Sequence, residues 1–85
     1  MPTDKEIKKE IADLKEINKH TPPSALRKSE ELDAQLTVLD YGLDEEAICD
    51  TWPDPNDLVR LAALNALDWA NGELHLSPSE VWKGV

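Results

Sequence analysis

Residues 55–71 constrain the fold more than any other part of the sequence. Within them Leu58, Val59, Leu61, Ala62, Ala63, Leu64, Ala66, Leu67, Trp69 and Ala70 recur so densely that a helix built from them is apolar on most sides. Such a helix needs neighbours in several directions and belongs at the centre of a bundle. Its start is expected at Asp54 as N-cap, with Pro55 at N1 and Asp57 at N3, and its stop at Gly72. A chain of 85 residues has room for one domain around it, and a domain of that size is only marginally stable.

Four further helices are marked by start and stop signals. The first opens at Thr3, with Glu6 three residues on to complete a capping box. Ile7, Ile11, Leu14 and Ile17 follow at helical spacing on a mosaic of both charges, with Asn18 at the next position. This narrow stripe suits a helix laid on one neighbour, and Ile7, Ile11 and Leu14 are equally candidates for a homodimer interface. His20-Thr21-Pro22-Pro23-Ser24 breaks the pattern. A second helix is expected over residues 23–41, with Leu32, Leu36 and Leu39 on one face and Gly42 as its C-terminal stop. The third starts at Asp44 as N-cap, with Leu43 and Ile48 as a hydrophobic staple and Ala47, Ile48 and Cys49 inward; Thr51-Trp52-Pro53 ends it. The fifth is announced by Ser77-Pro78-Ser79-Glu80 and covers residues 78–83, with Leu76 and Val81 as staple and Val81 and Trp82 as docking residues. The fold class is therefore all-α: one small domain of four to five helices. Residues 1–20 form a charged amphipathic helix, either docked or a loose arm, and residues 23–85 form the core.

Constellations able to carry chemistry are sparse. Cys49 is the single cysteine, and with His20 or His75 it would make the one conceivable thiol–imidazole pair. A lone cysteine on the inner face of a short helix reads as a small buried hydrophobe. Two histidines and one cysteine fall short of the four ligands of a structural zinc site. The acids from Asp40 to Asp57 raise the question of calcium. A calcium loop counted from Asp50 places Trp52 third and Pro55 sixth, where an oxygen ligand and a glycine are required. The three glycines are isolated, so no phosphate-cradling loop exists. The reading is of a non-enzymatic chain with no cofactor and no metal. Trp52, Trp69 and Trp82 read as core anchors, with Trp52 the candidate for an exposed binding hot spot.

Charge distribution carries the functional expectation. Residues 1–31 hold seven acids and seven bases, whereas residues 32–85 hold eleven acids against Arg60 and Lys83, so the whole net charge of −9 lies there. Phosphate contacts require cations, so nucleic acid and anionic lipid are poor partners and a protein with a basic surface is a good one. No apolar run reaches the ~20 residues that span a bilayer, and one cysteine with no signal peptide suggests the cytoplasm. Val38, Gly42 and Ile48 have the spacing of a helix–tight turn–helix unit. The second helix of that unit carries Asp44, Glu45, Glu46 and Asp50, which opposes insertion into DNA.

Gly42-Leu43-Asp44-Glu45-Glu46-Ala47-Ile48, then Trp52-Pro53-Asp54, then Ala62-Ala63-Leu64 resembles a family of small bacterial antitoxin-like domains of unknown function. That family reads Gly-apolar-Ser-x-Glu-Glu-Ile, Tyr-Pro-Asp and Ala-Ala-Leu. The resemblance implies a helix-turn-helix-like C-terminal half and a toxin-binding or regulatory role. The leading expectation is an acidic protein-binding module that inhibits or regulates a basic partner. That partner would be a toxin or a nucleic-acid-handling enzyme, as for phage anti-defence inhibitors. Asp44, Glu45, Glu46, Asp50, Trp52, Asp54 and Asp57 are the candidate partner-binding residues. The alternatives are a transcriptional regulator that binds DNA through Lys8, Lys9, Lys15, Arg27 and Lys28, and a structural homodimer.

Overall fold

Local end signals decide most helix boundaries. The computed structural model describes residues 1–84 and contains five helices, α1 (Asp4–Lys19), α2 (Leu26–Tyr41), α3 (Glu45–Thr51), α4 (Leu58–Ala70) and α5 (Pro78–Trp82), with no strand among the described residues. The protein is all-α. At α1 the Thr3 hydroxyl accepts from the Glu6 amide at 3.2 Å, and the Glu6 carboxylate accepts from the Thr3 amide at 3.3 Å, which completes the capping box. Asp44 caps α3 by accepting from the Ala47 amide at 2.8 Å. Ser77 caps α5, with Pro78 in its first turn. Gly42 ends α2 in the left-handed region at φ 64°, a conformation that a Cβ disfavours.

Two starts differ from expectation. Helix α2 begins at Leu26 rather than at Pro23, because residues 22–25 close a turn in which the Ala25 amide donates to the Pro22 carbonyl. No side chain caps this helix. Helix α4 begins at Leu58 rather than at Pro55. The Asp54 carboxylate accepts from the Asn56 amide at 2.9 Å, an Asx turn that diverts the chain. Asp57, not Asp54, then takes the cap by accepting from the Val59 amide at 2.9 Å.

Helix α2 lies between α1 and α4; α3 packs on α4, and α5 bridges α1 and α4. The core joins Leu14 of α1, Leu32, Val38 and Leu39 of α2, Ile48 of α3, and Ala63, Ala66 and Trp69 of α4. Removal of such apolar surface from water is the main driving force for folding. The stripe offered as a dimer interface is consumed within the chain: Leu14 is fully buried, and Ile7 and Ile11 pack against the core. Helix α1 is accordingly docked rather than a loose arm. Its Asn18 is a tie to α2, donating to Asp33 at 2.7 Å and accepting from Ser29 at 3.2 Å.

Buried polar groups are few and all partnered among the described residues. The Glu10 carboxylate accepts from the Ser79 amide and, at 2.6 Å, from the Ser79 hydroxyl, which pins α5 to α1. The Gln35 amide donates to the Ala62 carbonyl at 3.1 Å, and its oxygen accepts from the Trp82 indole N–H at 2.7 Å. One side chain thereby ties α2 to both α4 and α5.

Candidate functional site

Helix α4 presents two faces of opposite character. Ala62, Ala63 and Ala66 are buried, and small side chains there let the neighbouring helices approach closely. Leu58, Leu61 and Asn65 recur at i, i+3 and i+7 and line the wall of a groove of about 630 Å³. The opposite wall is built by Leu74, Leu76, Pro78, Val81 and Trp82, and Glu31 and Gln35 of α2 contribute the remainder. Five aliphatic side chains stay open to solvent around this one depression, from 42% exposed at Leu74 to 61% at Val81. The structure thus corrects the docking role given to Val81: Trp82 holds α5 down, and Val81 faces out. The expected staple partner Leu76 is likewise exposed.

Burial raises the Glu31 carboxyl above its ordinary value, an effect opposed by nearby Arg27 and reinforced by Asp57. Lys28 lies 5.6 Å above the Trp82 ring and so shields the outer face of that indole.

A second depression of about 330 Å³ is lined by Glu30, Asp33, Ala34, Thr37, Trp52, Asp57 and Val59, and its Asp57 is within electrostatic reach of Glu31 of the groove. The two are contiguous in the chain at two places. Glu30 lines the cleft and Glu31 the groove; Asp57 and Val59 line the cleft and Leu58 the groove. Three carboxylates surround the half-buried Trp52 in this cleft. Asp33 and Asp57 each use one oxygen internally, towards Asn18 and the Val59 amide.

Of the residues nominated from the sequence, Trp52 and Asp57 meet in this cleft. Glu45, Glu46, Asp50 and Asp54 are exposed and line neither depression, and Asp44 is engaged as the α3 cap. Cys49 is half-buried, and the described residues contain no cluster able to hold a metal ion. Reading the sequence missed Glu30, Asp33 and the whole aliphatic groove. The signal for the groove was present in the size segregation on α4, with alanines on one stripe and Leu58 and Leu61 on another. Comparison with protein-family models, characterised proteins and solved structures yields no match, so the reading of this site rests on its geometry. No helix is long and apolar enough to cross a membrane, among the described residues.

Proposed function

We propose that this domain is a non-catalytic protein-binding module, cytoplasmic in setting, that regulates or inhibits a partner bearing a basic surface. The observation that carries this reading is the ring of Leu58, Leu61, Leu74, Leu76 and Val81, all open to solvent around one groove in a chain of 85 residues. Contiguous exposed apolar patches on small domains mark interaction sites. The net charge of −9 supplies the sign of the partner. The likeness of residues 42–64 to antitoxin-like domains favours the same class of role, with a toxin or a nucleic-acid-handling enzyme as target. A DNA-binding reading draws less support, because Lys9 is paired with Asp13 at 3.0 Å and Lys28 lies on Trp82.

The test is selection of displayed random peptides on the full chain, followed by binding to a Leu61→Asp variant whose helicity matches the parent. Enriched peptides that lose at least tenfold in affinity for the variant support the reading. Absence of enrichment, or equal binding to both proteins, refutes it.

A further inference from the structure

We infer that the groove accepts one amphipathic helix of the partner, whose apolar side chains sit against Leu58, Leu61, Leu74 and Leu76 while a Lys or Arg at its end enters the acidic cleft and lies on Trp52. This inference rests on the protein-binding reading and specifies its occupant. Three recurring ways of capturing a chain segment can be compared with the walls of the site. Strand addition needs a free sheet edge, and the described residues contain no strand. Polyproline capture needs a ladder of exposed aromatics. Here the walls are Leu and Val, and the indole of Trp82 is tied to Gln35 on its N–H and covered by Lys28 on its face. A helix with anchors at i, i+3 and i+7 needs an aliphatic trough, which is what α4, residues 74–76 and α5 enclose. The wall residues are too open for a small ligand, because small-molecule sites cover most of their guest.

Charge complementarity selects the end group. Glu31 of the trough lies within electrostatic reach of Asp57 of the acidic cleft, and Leu58 of the trough follows Asp57 in the chain, so a cation at the end of an apolar helix is drawn towards Glu31, Asp57 and Glu30. A guanidinium or ammonium there gains the carboxylates and the indole face together. A second copy of this chain fits poorly, since each copy carries −9 and its acids would meet like charge.

The experiment uses synthetic helical peptides of about four turns, with Leu at i, i+3 and i+7 and either Arg or Glu at the end placed nearest the cleft, plus a scrambled control. Binding is titrated by intrinsic Trp fluorescence against the parent chain, Glu30→Lys and Leu61→Asp. Glu30 is exposed, so its reversal leaves the fold intact. The expected result is a charge swap. The Arg peptide binds the parent best and loses about tenfold on Glu30→Lys, the Glu peptide regains that factor on Glu30→Lys, and Leu61→Asp binds neither. Failure of every peptide, equal binding of the scrambled control, or sedimentation showing that the chain alone forms dimers dissolved by Leu61→Asp overturns the inference. Groove-dependent binding that ignores the charge swap overturns it too, while the protein-binding reading stands.

Discussion

Replacing Glu10 with alanine should release α5 and remove a large share of the folding free energy. The carboxylate is 4% exposed and accepts from two donors of Ser79, a residue 69 positions away. The backbone donor is one of the N–H groups that a helix start leaves without an internal partner. Each charge-assisted bond of this kind is worth about 1.5–3 kcal/mol. Truncation also leaves the Ser79 amide buried without a partner and the Ser79 hydroxyl with only the Ser77 hydroxyl, which brings the loss to about 3–5 kcal/mol. A domain of this length has on the order of 4–13 kcal/mol in total, at about 0.05–0.15 kcal/mol per residue. Glu10→Ala should therefore lower the midpoint of thermal unfolding by roughly 12–40 °C. Glu10→Gln keeps the shape and one good acceptor and should lose about half as much. Urea titration followed by far-ultraviolet circular dichroism gives the magnitudes, and amide exchange over residues 77–83 reports whether α5 lets go first. A Glu10→Ala, Ser79→Ala double cycle isolates the hydroxyl half of the contact, because the Ser79 amide remains in every variant. Stability of Glu10→Ala within 0.5 kcal/mol of the parent, a threshold set by ordinary surface substitutions, would refute the tie between α1 and α5, and strict additivity in the cycle would refute its hydroxyl half.

Other perturbations follow from the same contacts. Burial raises the Glu31 carboxyl, so the folded chain holds that proton more tightly than the unfolded one. The group therefore favours folding below its unfolded value of 4.5 and loses that contribution as pH rises through the higher folded value. Glu31→Gln should equal or exceed the parent in urea midpoint at pH 7, with the difference shrinking towards pH 4; a lower midpoint at pH 7 contradicts this. Gln35→Leu leaves the Trp82 indole N–H without its acceptor and should cost about 1–3 kcal/mol, with a red-shifted Trp emission as α5 loosens. Ile11→Asp should destabilise the monomer, because Ile11 packs against the core; a folded variant with halved sedimenting mass would restore the dimer reading.

What was legible in the sequence was local. The capping pairs Thr3–Glu6 and Asp44–Ala47 and the stop at Gly42 each involve residues within a turn of one another, so spacing alone reveals them. The first failure has a local cause as well. Asp54-Pro55-Asn56-Asp57 offers two carboxylates that can each bond a following amide, and Pro55 fits the first turn of a helix opened by either. The chain spends Asp54 on a turn and starts the helix at Asp57. The acidic cleft was half legible. Trp52 and Asp57 drew attention for their own chemistry, but Glu30 and Asp33 join them only because α2 lies against α4. The groove was illegible for a related reason. A helix apolar on most sides demands neighbours, yet nothing in its periodicity says which side is left uncovered.

That uncovered side has an internal logic. If burial alone governed α4, the larger aliphatics would point into the core and the alanines outward, since each buried leucine contributes about 1.5–3 kcal/mol against much less for alanine. The arrangement at one end of the helix is the reverse: Ala62, Ala63 and Ala66 are inside, and Leu58 and Leu61 are 44% and 46% exposed. The outward leucines are thus poorly explained as core-fillers, and their removal should cost the fold little. Leu58→Ser and Leu61→Ser should each lose less than about 1.5 kcal/mol, half the value of a fully buried leucine. Ala63→Ser, a far smaller change in volume, places a hydroxyl in a fully buried site and should cost at least as much. Urea unfolding of the three variants compares them directly. Should the two leucine variants unfold while Ala63→Ser tolerates its hydroxyl, the leucines belong to the core, and the groove loses its claim to be a surface kept open for another protein.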